Sequence, residues 1–266
     1  MKRLRLIAMR PDREELLRRL QHMGCVEISQ PDMDLSAPEW EGLSAPDSAA
    51  LNEARESGAC FSAALEALTR YAPSKGGMFK VRPEVTEQEF FHDGTYAAAL
   101  EDARTINHAQ RRIQSLNAER GKLISQKASL APWMALDVPL DTPSTREVTI
   151  QFGTFPSQIE PDKVTAALSD AAPLAQLIPA GRDADVHYVL FLCHNSESEA
   201  AGAVLREFNF SAAPLKGWSG TAAENDERLN GEIARVDAEI KAEEESILAC
   251  ADRREILERC ADCMVA

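Results

Sequence analysis

The most reactive spacing in this 266-residue chain is Cys260-Ala261-Asp262-Cys263, a C-x-x-C. Such a pair holds zinc when a second ligand pair is near, or exchanges disulfides when it opens a helix after a strand. Neither context is present. The motif falls inside a stretch with helical heptad spacing, where cysteine acts as a small apolar filler. His22, His92, His108, His187 and His194 lie on separate segments, with no H-E-x-x-H among them. Gly121-Lys122 is followed by Leu123 and lacks the upstream glycine of a phosphate-binding loop. G-x-G-x-x-G and G-x-S-x-G are absent. Asn209-Phe210-Ser211 matches a glycosylation acceptor, but it falls on an expected strand. Glu243, Glu244 and Glu245 read as a solvated acidic face. The residue types therefore predict no catalytic centre, no cofactor and no metal, and they turn attention to the elements that carry them.

Those elements are dominated by two heptad-patterned stretches on either side of a compact α/β segment. In the later stretch, Leu229, Ile233, Val236, Ile240, Ile247, Cys250, Leu257, Ala261 and Met264 follow steps of four and three, with Glu243 and Arg254 in the two gaps. In the earlier stretch Ala109, Leu116, Leu123 and Leu130 recur every seven residues, with Ile106 and Ile113 at the companion positions. Each pattern draws one apolar seam along a helix. The predicted helices cover residues 95–131 and 222–266, roughly 55 and 65 Å at about 1.5 Å per residue. Because the intervening segment reverses the chain, they should run antiparallel. Their charges complement each other: six bases against three acids in residues 95–131, and thirteen acids against six bases in residues 221–266. Opposite signs on flanking positions favour this pairing over self-pairing.

Composition narrows the field. A formal net charge of -14 opposes phosphate binding by the bulk of the surface. No run of eighteen apolar residues exists, and the apolar stretch after the basic N-terminus is too short for a signal peptide. Six scattered cysteines in a chain of this size indicate a reducing compartment.

Between the helices, residues 148–213 alternate strand and helix in the order β-α-β-β-α-β, a ferredoxin-like arrangement. Strands are expected at residues 148–152, 174–178, 186–192 and 208–212, with a turn at Gly181-Arg182-Asp183. Helices are expected at residues 161–172 and after a Ser196–Glu199 capping box. Thr221 and Glu224 form a second capping box. An RNA-recognition role for this segment is disfavoured, since Phe152 and Phe155 do not share a face. At the N-terminus, residues 2–30 read as strand, helix, strand, with Gly24 ending the helix; this βαβ unit lacks partner strands nearby. Residues 31–47 read as loop, 47–72 as helix ended by Pro73, 74–78 as a break and 85–91 as a short helix.

At this point the residues resemble a family. The opening from Lys2-Arg3-Leu4-Arg5-Leu6 through Asp12-Arg13-Glu14-Glu15-Leu16-Leu17 to Gly24-Cys25-Val26-Glu27-Ile28 looks like the N-terminus of the V/A-type ATP synthase subunit I, the relative of V-ATPase subunit a. Gly217-Trp218-Ser219-Gly220-Thr221 and the order of lobe, arm, lobe and arm are also similar. The resemblance implies an elongated α+β fold: a partial βαβ proximal lobe (1–46), an outgoing helical arm (47–131), a distal α/β lobe (132–218) and a returning coiled-coil helix (219–266).

It also implies a non-catalytic stator component of an ion-translocating rotary ATPase, a strut tying the catalytic head to the membrane sector at its cytoplasmic face. Peripheral-stalk helical heterodimers of the E/G type are the expected partners. A central-stalk cap subunit and the membrane rotor ring would be reached only through a membrane domain that follows in family members. This chain stops at Ala266, so the expectation is a soluble segment of a longer protein or the product of a split gene, with the proximal lobe completed by later sequence. No nucleic-acid partner is implied. The seam residues expected to hold the arm are Ile106, Ile113, Leu116, Leu123, Leu130, Leu229, Ile233, Val236, Ile240, Ile247 and Leu257. Arg3, Arg5, Arg10, Arg13, Arg18 and Arg19 are the basic candidates to face a partner, since the unit carries seven bases against three acids. The rival reading is a free-standing coiled-coil adaptor unrelated to rotary motors.

Overall fold

A computed structural model describes residues 4, 6, 8–28, 49–73 and 94–264. The expected loop at 31–47, the break at 74–78 and the short helix at 85–91 lie outside the described residues, as do Arg3 and Arg5. The chain divides into two compact units, Met1–Leu51 and Asn52–Ala266.

In the first unit a 3-10 turn, Arg10–Asp12, leads into α1 (Arg13–Met23). Gly24, with φ of 62°, ends the helix and donates its backbone N–H to Gln21. None of the α1 side chains is buried. The two flanking strands do not form: residues 4, 6, 8–9 and 25–28 carry no strand. Alternating side chains are not enough for a strand, because a ladder needs a second row of backbone donors and acceptors.

The second unit holds nearly all of α2 (Ala49–Tyr71). Its Phe61, Ala64 and Leu68, three and four residues apart, are buried. Next comes α3 (Tyr96–Leu130), whose 35 residues span about 52 Å. A 3-10 turn, Ala131–Trp133, follows. The lobe then runs β1 (Val148–Pro156), α4 (Pro161–Ala171), β2 (Ala175–Arg182), β3 (Val186–His194), α5 (Ser198–Glu207) and β4 (Ser211–Ala212). The chain returns through α6 (Ala222–Ala249), a 3-10 turn at Ala251–Arg253, and α7 (Arg254–Cys263).

The strands form one antiparallel sheet in the order β2-β3-β1-β4. Strand alternation gives it two apolar faces. Phe155, Leu177, Val189, Phe191 and Cys193 face α4 and α5, where Val164, Leu168, Ala201 and Leu205 cover them. Phe152, Ala180 and Leu190 point the other way, into the same core as the long helices.

Several boundaries differ from the sequence expectation. The second strand extends through Gly181 and Arg182, so the turn falls at residues 183–185. There the Asp183 carboxylate accepts from the backbone N–H groups of Asp185 and Val186, at 2.8 and 2.9 Å. The closing strand shrinks to Ser211–Ala212, while Phe210 turns in over Gly153. A side chain at Gly153 would meet that ring at 2.1 Å, so only glycine admits it. The Ser196–Glu199 capping box does not form. Instead Nδ1 of His194 accepts from the Ser196 backbone N–H, and the Glu197 carboxylate accepts from Leu174 N–H at 2.7 Å. The Thr221–Glu224 box does form, with both reciprocal bonds.

Candidate functional site

The feature with the clearest physical design is the paired α3 and α6. Buried residues of α3 are Ala99, Ala103, Ile106, Ala109, Ile113, Leu116, Leu123 and Leu130. Those of α6 include Leu229, Val236, Ile240 and Ile247. Leu257 on α7 is buried in the same core, and Ile233 is half-buried against it. The seam therefore gathers every expected position from Ile106 to Leu257 into one apolar core.

Cross-helix ion pairs give the direction. Lys127 meets Asp226 at 3.5 Å, Arg120 meets Asp237 at 3.1 Å, and Arg112 meets Glu239 at 2.9 Å. Toward the other end, Arg253 beyond α6 meets Asp102 at 3.9 Å. One set of numbers falls as the other rises, so the helices are antiparallel. A basic α3 lies against an acidic α6, as the residue counts require. All these pairs are at least partly exposed to water and each contributes about 0–1 kcal/mol. Each buried aliphatic side chain contributes about 1.5–3 kcal/mol. Burial thus supplies the stability, and the ion pairs supply register and orientation.

Arg120 and Lys127 occupy the companion positions of the α3 seam after Ile106 and Ile113. Both are half-buried, laying apolar stems on the seam and sending their charges to α6. The heptad reading passed over them because it counted apolar letters only.

The return helix is not continuous, contrary to the reading of residues 222–266 as one rod. It stops at Ala249 and restarts at Arg254. Arg254 stands where the heptad calls for an apolar group, and its guanidinium donates to the Ala72 carbonyl at 2.6 Å, just past the end of α2. A second bond to Thr69 Oγ1 is 3.3 Å long. A cation at a helix C-terminus satisfies orphan carbonyls and the helix dipole. After the break Leu257 and Cys260 are buried, while Ala261 is half-buried. Burial at Cys250 pushes its thiol pKa up, with the Asp102 carboxylate adding to the rise.

At the far end of α3, Trp133 joins the helices to the lobe. It is 2% exposed. Its ring stands edge-on to Phe152 and Tyr188, at centroid distances of 5.6 and 5.3 Å. The sheet face on which an RNA-recognition module would stack bases is thereby covered. Tyr188 in turn donates to Asp183 at 2.7 Å; this bond holds the Asp183 carboxyl below its ordinary range and the Tyr188 phenol above its own. The Gly217-Trp218-Ser219-Gly220 segment starts α6. Gly220 has φ of 79° and leaves room for the Glu224 carboxylate, which a Cβ would approach to 2.6 Å. Asp141 braces this turn by accepting from Ser219 Oγ at 2.8 Å and Gly220 N–H at 3.1 Å. The Ser219 bond, then the Gly220 bond, hold its carboxyl below the usual range.

Of the basic candidates, Arg13, Arg18 and Arg19 are exposed on α1, and Arg10 lies in the preceding turn. Arg18 and Arg19 both pair with Glu15, at 3.1 and 2.8 Å, which offsets part of their charge. The Cys260–Cys263 spacing lies on α7. Among the described residues no cluster of three histidine, cysteine or acidic side chains is placed to hold a metal, and no helix is long and apolar enough to cross a membrane.

No protein-family model and no curated protein matches this sequence. Among solved structures, the chain is similar to the crystal structure of the cytoplasmic N-terminal domain of subunit I, homolog of subunit a, of V-ATPase. Identity is 17%, the TM-score is 0.47, and the match covers 82% of this chain and 70% of the other.

Proposed function

We propose that the chain acts mechanically, as a stator strut of a rotary V/A-type ATPase or ATP synthase, docking peripheral stalks during ATP-coupled ion transport. One observation carries this reading: two long helices run antiparallel along one apolar seam, in register through opposite charges, with a sheet lobe fixed to the seam by Trp133. Such a unit transmits load along its axis without chemistry. We read the pair as a coiled-coil arm (47–131 and 219–266), residues 132–218 as a ferredoxin-like distal lobe, and residues 1–46 as part of a proximal lobe. The strand order β2-β3-β1-β4 supports the ferredoxin-like assignment, and the N-terminal resemblance supports the family.

On this reading the ends hold helical stalk heterodimers, one at the distal lobe and one at the N-terminal unit, where Arg13 has no ion pair among the described residues. The test is a binding titration of the whole chain with the purified stalk heterodimer from the same source. Saturable one-to-one association, weakened by reversing Arg13 to Glu, is the expected result. No association at tens of micromolar would refute the strut reading.

A further inference from the structure

The α6 side of α3 has its charges matched, but the other side does not. Where α2 passes α3, the two helices enclose a groove of about 450 Å³. Residues 56, 60, 63, 67 and 70 of α2 line it at steps of four and three, the spacing with which one helix receives another. Its floor is small, with Cys60 and Ala63, so a backbone can approach closely. Its rim carries Glu56, Glu66 and Arg70, none of which has an ion pair or hydrogen bond among the described residues. Arg111 across the groove uses only Nε, on the Asn107 carbonyl at 3.1 Å, leaving its terminal nitrogens available.

Within the groove, Gln110 Oε1 is shut off from water and has no hydrogen-bond partner. It is the one buried side-chain polar atom so placed among the described residues. A buried acceptor without a donor costs stability, and such a group needs a reason. Rotation about the broad terminal torsion of glutamine turns that oxygen toward an incoming donor.

We propose that this groove is a docking seam for an α-helix of a partner protein. The helix presents a side-chain donor to Gln110, since its own backbone donors are already used. It carries a base toward Glu56 and Glu66 and an acid toward Arg70 and Arg111. Mixed charge on the rim selects register; the small floor and the buried acceptor select a close-packed helix. The inference rests on the strut reading, because the helical stalk heterodimer is the partner it assigns.

The probe is that purified heterodimer, titrated against the whole chain and against Gln110→Leu and Glu66→Lys/Arg111→Glu. Removing the unpaired acceptor raises the Tm of the free chain by about 2–4 °C. The same change weakens stalk binding about tenfold, and the charge reversal weakens it at least as much at low salt. A more stable chain that binds less well separates a docking role from a structural one. If the wild type binds and both variants bind equally, the groove is not the seam, while the strut reading stands. If the wild type does not bind at all, both fall. Self-association abolished by the same variants assigns the groove to a second copy and overturns the proposal.

Discussion

The helix pair and the sheet lobe solve the same burial problem in different ways. In the pair, each helix has one apolar stripe, and each stripe has the other as its cover. In the lobe, the sheet is apolar on both faces: α4 and α5 close one, and Trp133 with the adjoining chain closes the other. The first core is continuous with the seam and the second is private to the lobe. A pull on the helices therefore reaches the sheet through one face only, and the joint there is aromatic. The lobe keeps its shape through contacts that the arm does not share, as suits a docking knob on a stiff support.

The most damaging change to this division is at the joint. Trp133→Ala should cost about 3–5 kcal/mol and should loosen the lobe more than the seam. Hydrogen exchange should rise in β1 and β3 while α4 and α5 keep their packing on the private face. Equal loss across both cores would show that they unfold as one and would break the comparison.

Next comes the seam itself. Ile240→Asp puts an unpaired carboxylate among apolar side chains and should cost about 3 kcal/mol, lowering helicity by circular dichroism and the melting temperature. An unchanged melt would place that position in solvent.

A smaller effect is expected from the register pairs. Arg120→Ala should cost less than about 1 kcal/mol, part of it from the stem rather than the charge, and salt should reduce the difference from wild type without abolishing it.

The smallest test concerns the brace at the start of α6. The Asp141 carboxyl is lowered in the fold from its ordinary 3.8. A lowered carboxyl stabilises at pH above its ordinary value, and the contribution is lost as pH falls through the folded-state value. The melting-temperature gap between wild type and D141N should be full at neutral pH and close only below about pH 3.8. A gap that closes near pH 6 would implicate another group.

How much of this was legible beforehand depends on whether the governing contacts are local. The seam of α3 and α6 and the Thr221–Glu224 cap follow from residues within a few turns of one another, and they could be read. The break at residues 250–253 could not, because the heptad count continues across it. Its signal was a charged residue in a seam position, Arg254, whose partner near the end of α2 lies far away in sequence. The Ser196–Glu199 box failed because His194, one position before the turn, offers a competing acceptor. The N-terminal strands were inferred from alternation, which says nothing about whether a ladder partner exists. Trp133, the joint on which the lobe depends, sits in a short turn with no period to betray it. The groove beside Gln110 likewise depends on the placement of α2 against α3.

The account stands or falls on α3 and α6 lying side by side in opposite directions. Pulsed dipolar spectroscopy, with spin labels carried by unnatural amino acids at positions 119 and 235, tests this directly, since Glu119 and Arg235 approach to 4.0 Å. A short, narrow distance is predicted for that pair, and one longer by roughly 25 Å for labels at 119 and 253, given about 1.5 Å per helical residue. Equal distances for the two pairs, or a broad long distance for the first, would contradict it.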